Sequence, residues 1–199
     1  AQLYVILENY DRAIELFEAW FVAAEKPNAA AHYMLAIAYM QKNLFEKAIP
    51  QAEQAVAKSP TPKESYLGLL LSLYFETKNY AKALPVLETL VEHFPKEVYW
   101  KQLSALYAEA GDNKRALGAL ELAYFQGYID EESEILNLAQ LYLYNDVPYS
   151  AAQIVEKALA DGKVAGDAAA WQILADSWLQ ARERDKALAD LAAKEAELG

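Results

Sequence analysis

The sequence predicts an all-α fold, a stack of about six helical hairpins. Three observations carry that expectation. The first is composition: the 199 residues are rich in alanine and leucine and hold only 7 Gly and 7 Pro, which favours helices before any pattern is considered. The second is an internal repeat of about 35 residues. Ala13, Ala48, Ala83, Ala116, Ala151 and Ala187 form one column, and a large aromatic stands nine residues before each: Tyr4, Tyr39, Tyr74, Tyr107, Tyr142 and Trp178. A fixed period of this length marks stacked supersecondary units. The third is the spacing inside a repeat. Leu35, Leu70, Leu103, Leu138 and Leu174 lie four residues before the aromatic, and Phe17, Ala52, Leu87, Leu120, Val155 and Leu191 lie four after the alanine. Residues four apart share a helix face, so each repeat reads as two helices joined by a tight polar turn.

The first repeat, about 1–28, lacks most of its first helix. Repeats two and three occupy about 29–62 and 63–96, with turns such as Gln41-Lys42-Asn43. Thr61-Pro62-Lys63-Glu64 reads as a capping box with proline at the first helical position. Pro50 and Pro85 fall inside second helices, two residues after the column alanine, and leave the carbonyls of Glu46 and Ala81 without their usual donor. Repeats four to six occupy about 97–131, 132–167 and 168–199. Gly162 and Gly166 mark the longest loop, Asp161 to Asp167, and Asp167 is the N-cap candidate for the first helix of repeat six. No Ser/Gly-rich or low-complexity linker interrupts the chain, which reads as one continuous stack.

Here the residues resemble a known family. Trp100-x-x-Leu103-Ser104-x-x-Tyr107-x-x-x-Gly111 followed by Ala116 is similar to the tetratricopeptide repeat, and Pro60 and Pro95 fall where that repeat ends its second helix. Lys78, Asp146 and Arg182 depart from it by replacing the turn glycine, and Tyr128 replaces the terminal proline. The resemblance implies a right-handed α-solenoid over 1–199 and a protein-interaction role. Longer runs, among them Glu134 to Tyr142 and Val147-Pro148-Tyr149-Ser150-Ala151-Ala152, resemble the C-terminal part of exported Gram-negative repeat proteins encoded beside TonB-type energy-transduction genes. That resemblance implies a periplasmic location in a bacterial envelope complex, the alternative being cytoplasmic.

Charge and composition narrow the function. Eighteen Lys+Arg against 29 Asp+Glu give a net charge of -11, the wrong sign for counterion-driven nucleic-acid binding. The longest apolar run, Tyr66 to Phe75, is half the ~20 residues of a membrane-spanning helix. With no cysteine, disulfides, thiolate metal sites and thiol nucleophiles are excluded. The apolar, helix-like start without an initiator Met reads as an excised or processed chain.

Little in the sequence suggests catalysis or a cofactor. His32 and His93 are too far apart in sequence for a helical metal pair and read as surface or cap residues. Glu131, Glu132 and Glu134 read as acidic residues at a helix start. Trp20, Trp100, Trp171 and Trp178 stand at packing positions and read as core. No phosphate loop, nucleophile elbow or metal-ligand cluster is present.

The stacked first helices of such repeats line a groove. Its expected lining is Tyr33, Ile37, Met40 and Gln41, then Ser65, Ser72, Phe75 and Glu76, then Lys101, Ala105 and Glu109, then Gln140, Leu143 and Tyr144, then Gln172, Asp176 and Leu179. This lining suits a peptide or protein segment with apolar anchors and some positive charge. A clamp for an acidic C-terminal tail is not expected, since only Lys101 and Asn137 could serve it. The rival readings are an enzyme or small-ligand binder using the groove, and a spacer that self-associates through its ends. The first seven residues, Ala1 to Leu7, with Tyr10, Phe17, Trp20 and Phe21 beyond them, form an apolar end expected to pack on a preceding repeat or a second copy. At the other end Lys186, Asp190, Lys194, Glu195 and Glu197 are expected to make a polar cap.

Overall fold

The computed structural model describes residues 1–189 and 192, and among them it is helical with no strand. It divides into two compact units, Ala1–Pro95 and the chain from Lys96 onward. The first holds α1 (Gln2–Ile6), α2 (Tyr10–Ala23), α3 (Ala29–Gln41), α4 (Phe45–Ala57), α5 (Glu64–Glu76) and α6 (Tyr80–His93). The second holds α7 (Glu97–Glu109), α8 (Asn113–Phe125), α9 (Glu132–Tyr144), α10 (Pro148–Ala160) and α11 (Ala168–Gln180). Residues 184–189 open a further helix. Each hairpin packs on the next within its unit, through α2 on α3 and α4 on α5 in the first, and α8 on α9 and α10 on α11 in the second.

The repeat columns become the core. All six column alanines are buried at 0–1% exposure, and the leucines four residues before each aromatic are buried with them. Alanine has no side chain beyond Cβ, so the two helices of a hairpin approach closely at that point. The aromatic nine residues earlier fills the space beside it: Tyr39, Tyr74, Tyr107, Tyr142 and Trp178 are all buried, and Tyr4 is half-buried. In the second unit Ile129 and Val164, both on interhelical loops, join the same core.

The turns are uniform. Glu8, Asn43, Lys78, Asp146 and Arg182 all adopt positive φ, from 53° to 65°, and Gly111 holds the corresponding place at 76°. The turn therefore needs a left-handed residue four positions past the aromatic, although only one of the six is the glycine that adopts it without strain. Side-chain caps then open several of the helices. Asn9, Asn28, Asn79, Asp112 and Asp167 each accept a hydrogen bond from the backbone N–H three residues on.

Several local expectations are corrected. The capping box at Thr61 does not form: α5 begins at Glu64 behind Lys63, which lends no side-chain cap. Pro62 holds Thr61 away from helical geometry, and the Thr61 carbonyl instead accepts from Ser59 Oγ at 2.7 Å. Pro50 and Pro85 do fall inside second helices, at the sixth residue of α4 and α6. Both face solvent, as do Glu46 and Ala81, so water can satisfy the freed carbonyls. Trp20 is 45% exposed rather than core. The equivalent residues of later hairpins, Ala55, Leu90, Ala123 and Ala158, are buried, whereas Trp20 has only the five-residue α1 before it. Asp190, Leu191, Lys194, Glu195 and Glu197 lie outside the described residues.

Candidate functional site

Successive hairpins are joined by a polar tie that the alanine and aromatic columns do not reveal. A glutamate stands five residues after most column alanines, at Glu18, Glu53, Glu88, Glu121 and Glu156. In three cases the next hairpin's column tyrosine donates to it: Tyr39 to Glu18 at 2.6 Å, Tyr74 to Glu53 at 2.6 Å and Tyr142 to Glu121 at 2.5 Å. Burial, then the hydrogen bond to the carboxylate, pushes each of these phenols well above the usual tyrosine range. The recurrence of glutamate five residues after alanine is the signal that could have found the tie.

A basic residue directly before the column alanine completes it. Lys47 lies 5.5 Å above the Tyr39 ring and 3.6 Å from Glu18. Lys82 lies 5.7 Å above the Tyr74 ring and 2.9 Å from Glu53. The Tyr74 hydroxyl, followed by Lys82, holds the Glu53 carboxyl below the usual carboxylate range. Arg115 covers the Tyr107 ring at 4.7 Å, and Lys186 covers Trp178 at 4.1 Å.

The expected groove residues of the first unit lie on α3 and α5. Tyr33, Ile37, Met40 and Phe75 are half-buried, while Gln41, Ser65, Ser72 and Glu76 are exposed. Tyr33 stacks on Tyr66 of α5 with centroids 4.6 Å apart, so its inner edge serves inter-hairpin packing and its outer edge remains open. Phe75 packs against Tyr80 across the turn at 6.0 Å. The Ser72 hydroxyl is spent on the Gly68 carbonyl one turn back, at 2.9 Å.

In the second unit, a cleft of about 320 Å³ lies between α7 and α9. Lys101, Ala105 and Ala108 form one wall, and Glu134, Asn137 and Leu141 the other. Lys101 is held by two carboxylates, pairing with Glu134 across the cleft and with Glu97 on its own helix at 2.5 Å. Glu134, then Glu97, raise its pKa above the usual lysine range. Two carboxylates against one ammonium leave a formal charge of −1, so this lysine is not presented to an acidic tail. Glu109, Gln140 and Tyr144 are exposed on the same two helices, and Leu143 is half-buried. On α11, Gln172 donates to Asp176 at 3.0 Å, and Leu179 is exposed.

The histidines separate. His93 is exposed at the end of α6. His32 is buried, contrary to the surface or cap reading, with Nδ1 2.8 Å from Gln51 Oε1 and its ring against Phe21. Helix stacking buries it because it follows Ala31 on the inner face of α3. The acidic cluster also separates. Glu131 precedes α9, Glu132 accepts from the Ala165 N–H at 3.2 Å, and Glu134 pairs with Lys101. Trp171 and Trp178 are core, and Trp100 is half-buried. Among the described residues no His, Cys, Asp and Glu gather into a metal-binding group, and no helix is long and apolar enough to cross a membrane.

Comparison with known proteins bears on the fold. The tetratricopeptide repeat family matches residues 1–62. Characterised protein sequences give no match. Similar solved structures include MamA of strain AMB-1, at 19% identity and a TM-score of 0.60 over 82% of this chain and 89% of that one. YrrB, described as a TPR protein with an unusual peptide-binding site, aligns at 17% identity and a TM-score of 0.58 over 92% and 87%. Naa15/Naa10 bound to HypK-THB aligns at 15% identity and a TM-score of 0.63 over 96% of this chain but only 30% of that one. These likenesses agree with the expected fold class, an all-α solenoid of tetratricopeptide hairpins.

Proposed function

We propose that this chain is a non-catalytic interaction module that takes a peptide or protein segment along the exposed faces of its first helices. The observation that carries the reading is the cleft between α7 and α9, where Lys101 is engaged by Glu97 and Glu134 and the net charge is negative. Such a cleft favours a segment bearing Lys or Arg. Half-exposed Tyr33, Ile37, Met40 and Phe75 supply apolar anchor surface in the first unit. The likeness to YrrB, a TPR protein with a peptide-binding site, supports the same reading. The resemblance carried by Glu134 to Tyr142 and Val147 to Ala152 supports a role in a bacterial envelope complex.

Selection from a displayed peptide library tests this. Enriched sequences should carry basic residues next to aromatic or aliphatic ones. Binding of the basic sequences should weaken at least tenfold on Glu134→Gln, and binding of any that dock on the first unit should weaken likewise on Tyr33→Ala or Phe75→Ala. Enrichment of acidic C-terminal tails, or binding indifferent to all three changes, would overturn the proposal.

A second reading, self-association through the first hairpin, rests on a separate observation. Leu3, Ile6, Leu7 and Val22 are 63–91% exposed there, an apolar patch of the kind that marks interfaces. Sedimentation velocity at micromolar concentration should then show an association that Leu3→Glu with Ile6→Glu removes. A monomer at all concentrations would reject it.

A further inference from the structure

The basic column has one exception, and a cavity lies beside it. Arg12, Lys47, Lys82, Arg115 and Lys186 precede five of the column alanines, but Ser150 precedes the sixth, Ala151. Lys47 and Lys82 each follow their glutamate, Glu18 or Glu53, by 29 residues and their tyrosine, Tyr39 or Tyr74, by 8. Each closes a cluster of carboxylate, phenol and ammonium. Ser150 follows Glu121 by 29 residues and Tyr142 by 8. The tyrosine-to-carboxylate bond is present, at 2.5 Å, yet no basic side chain pairs with Glu121 among the described residues.

Between α8 and α10, where a lysine at position 150 would extend, there is a cavity of about 390 Å³. Glu121, Tyr124, Phe125, Tyr142, Ser150 and Gln153 line it. That volume is in the range of small-ligand sites, about 300–1,000 Å³. Lys157, Lys163 and Asp161 also border it, so with Glu121 the formal charges cancel. The cavity is thus no general sink for cations, and recognition rests on the local cluster. An ammonium there meets a carboxylate, aromatic faces and the acceptor oxygens of Ser150 and Gln153. We propose that this cavity binds a primary alkylammonium group against Glu121 and Tyr142, the place that Lys47 and Lys82 fill in the first unit. Two sources share that chemistry, a lysine side chain of a protein partner and a free amine. The site is formed by the second helices α8 and α10 together with Tyr142 of α9, and none of its lining residues is among the expected groove residues.

Nuclear magnetic resonance titration of the ¹⁵N-labelled full chain tests the assignment. The probes are n-butylammonium chloride, the blocked pentapeptide Ala-Ala-Lys-Ala-Ala, and its norleucine analogue. Saturable shifts are expected at the amides of Glu121, Tyr142, Ser150 and Gln153 with both ammonium probes and not with norleucine. Glu121→Gln should weaken them at least tenfold. Ser150→Lys should abolish them and raise the melting temperature, because its own ammonium then completes the cluster. Ser150→Ala, which removes only a hydroxyl, should keep them, so the reading does not depend on Ser150→Lys folding. Tighter binding of the peptide than of butylammonium assigns the source to a partner's lysine, and equal binding assigns it to a free amine. Absence of saturable shifts with either ammonium probe overturns the proposal. So do equal shifts with norleucine, or unchanged binding in Glu121→Gln.

Discussion

Removal of one hydroxyl at Tyr74 should expose how much the polar tie contributes between hairpins. Tyr74→Phe keeps the ring beneath Lys82 and deletes only the 2.6 Å bond to Glu53. A hydrogen bond to a charged group contributes about 1.5–3 kcal/mol. The Glu53 side chain is 38% exposed and keeps Lys82 at 2.9 Å, so water and lysine recover part of the loss. The expected cost is therefore about 1 kcal/mol at pH 7. The sign with pH follows from Glu53, whose folded pKa is lowered first by Tyr74 and then by Lys82. A lowered carboxyl stabilises the fold fully above its ordinary value of about 4.3, and the contribution is lost as pH falls through the lower folded value. Urea denaturation followed by far-ultraviolet circular dichroism should thus separate wild type and Tyr74→Phe at pH 7, with the gap narrowing as the pH falls below about 4.3. Tyr142→Phe should cost more, about 1–2 kcal/mol, since Glu121 has no basic partner among the described residues to fall back on. Equal stability of wild type and Tyr74→Phe at pH 7, or a gap that persists undiminished at pH 3, would refute the argument.

Two further outcomes are expected. Ala116→Leu would force a side chain into a fully buried position whose carbonyl also accepts Ser104 Oγ at 2.8 Å. It should cost about 1–3 kcal/mol, read as a melting temperature lower by roughly 2–4 °C per kcal/mol, and an unchanged value would show that this helix pair does not approach closely. Lys78→Gly should stabilise by about 0.5–1 kcal/mol, because Lys78 is held at φ 53° where a side chain is strained. A loss of stability in urea titration would mean that the lysine makes a compensating contact.

The hairpins are legible in the sequence because their signals are local and repeated. A buried alanine nine residues after a large aromatic recurs six times, and one misplaced residue in one repeat does not erase a column. Asp167 can likewise be read as a cap because capping is decided within four residues. Thr61 cannot, since a good local motif loses to the register in which α5 must pack. Trp20 and His32 show the same limit from opposite sides. Trp20 stands in a column that is buried in later hairpins but has only the short α1 over it, while His32 has the look of a cap and is enclosed by Phe21 and Gln51 from other helices. Of the groove, the sequence assigns positions on a helix face but not partners. That Lys101 is taken up by Glu134, 33 residues away, depends on how α7 meets α9. The glutamate and lysine columns stand in the same register as the alanines. They are harder to read, because a charged residue on a helix is as compatible with solvated surface as with a tie between hairpins.

The tie between hairpins also bears on how such a chain can change length. Its donor, acceptor and cation come from fixed places in the repeat, so an in-frame deletion or duplication of one whole period returns a tyrosine to a waiting glutamate. An insertion of a few residues does not. The chain is thus free to evolve by copying hairpins and resistant to drift by single residues. That freedom stops at the last described step, where Trp178 stands in the tyrosine's place with no hydroxyl to offer and its Nε1 finds no acceptor among the described residues. A hairpin copied in beside Tyr39, Tyr74 or Tyr142 would join through the same bond, but at Trp178 it would have to match the shape of an indole.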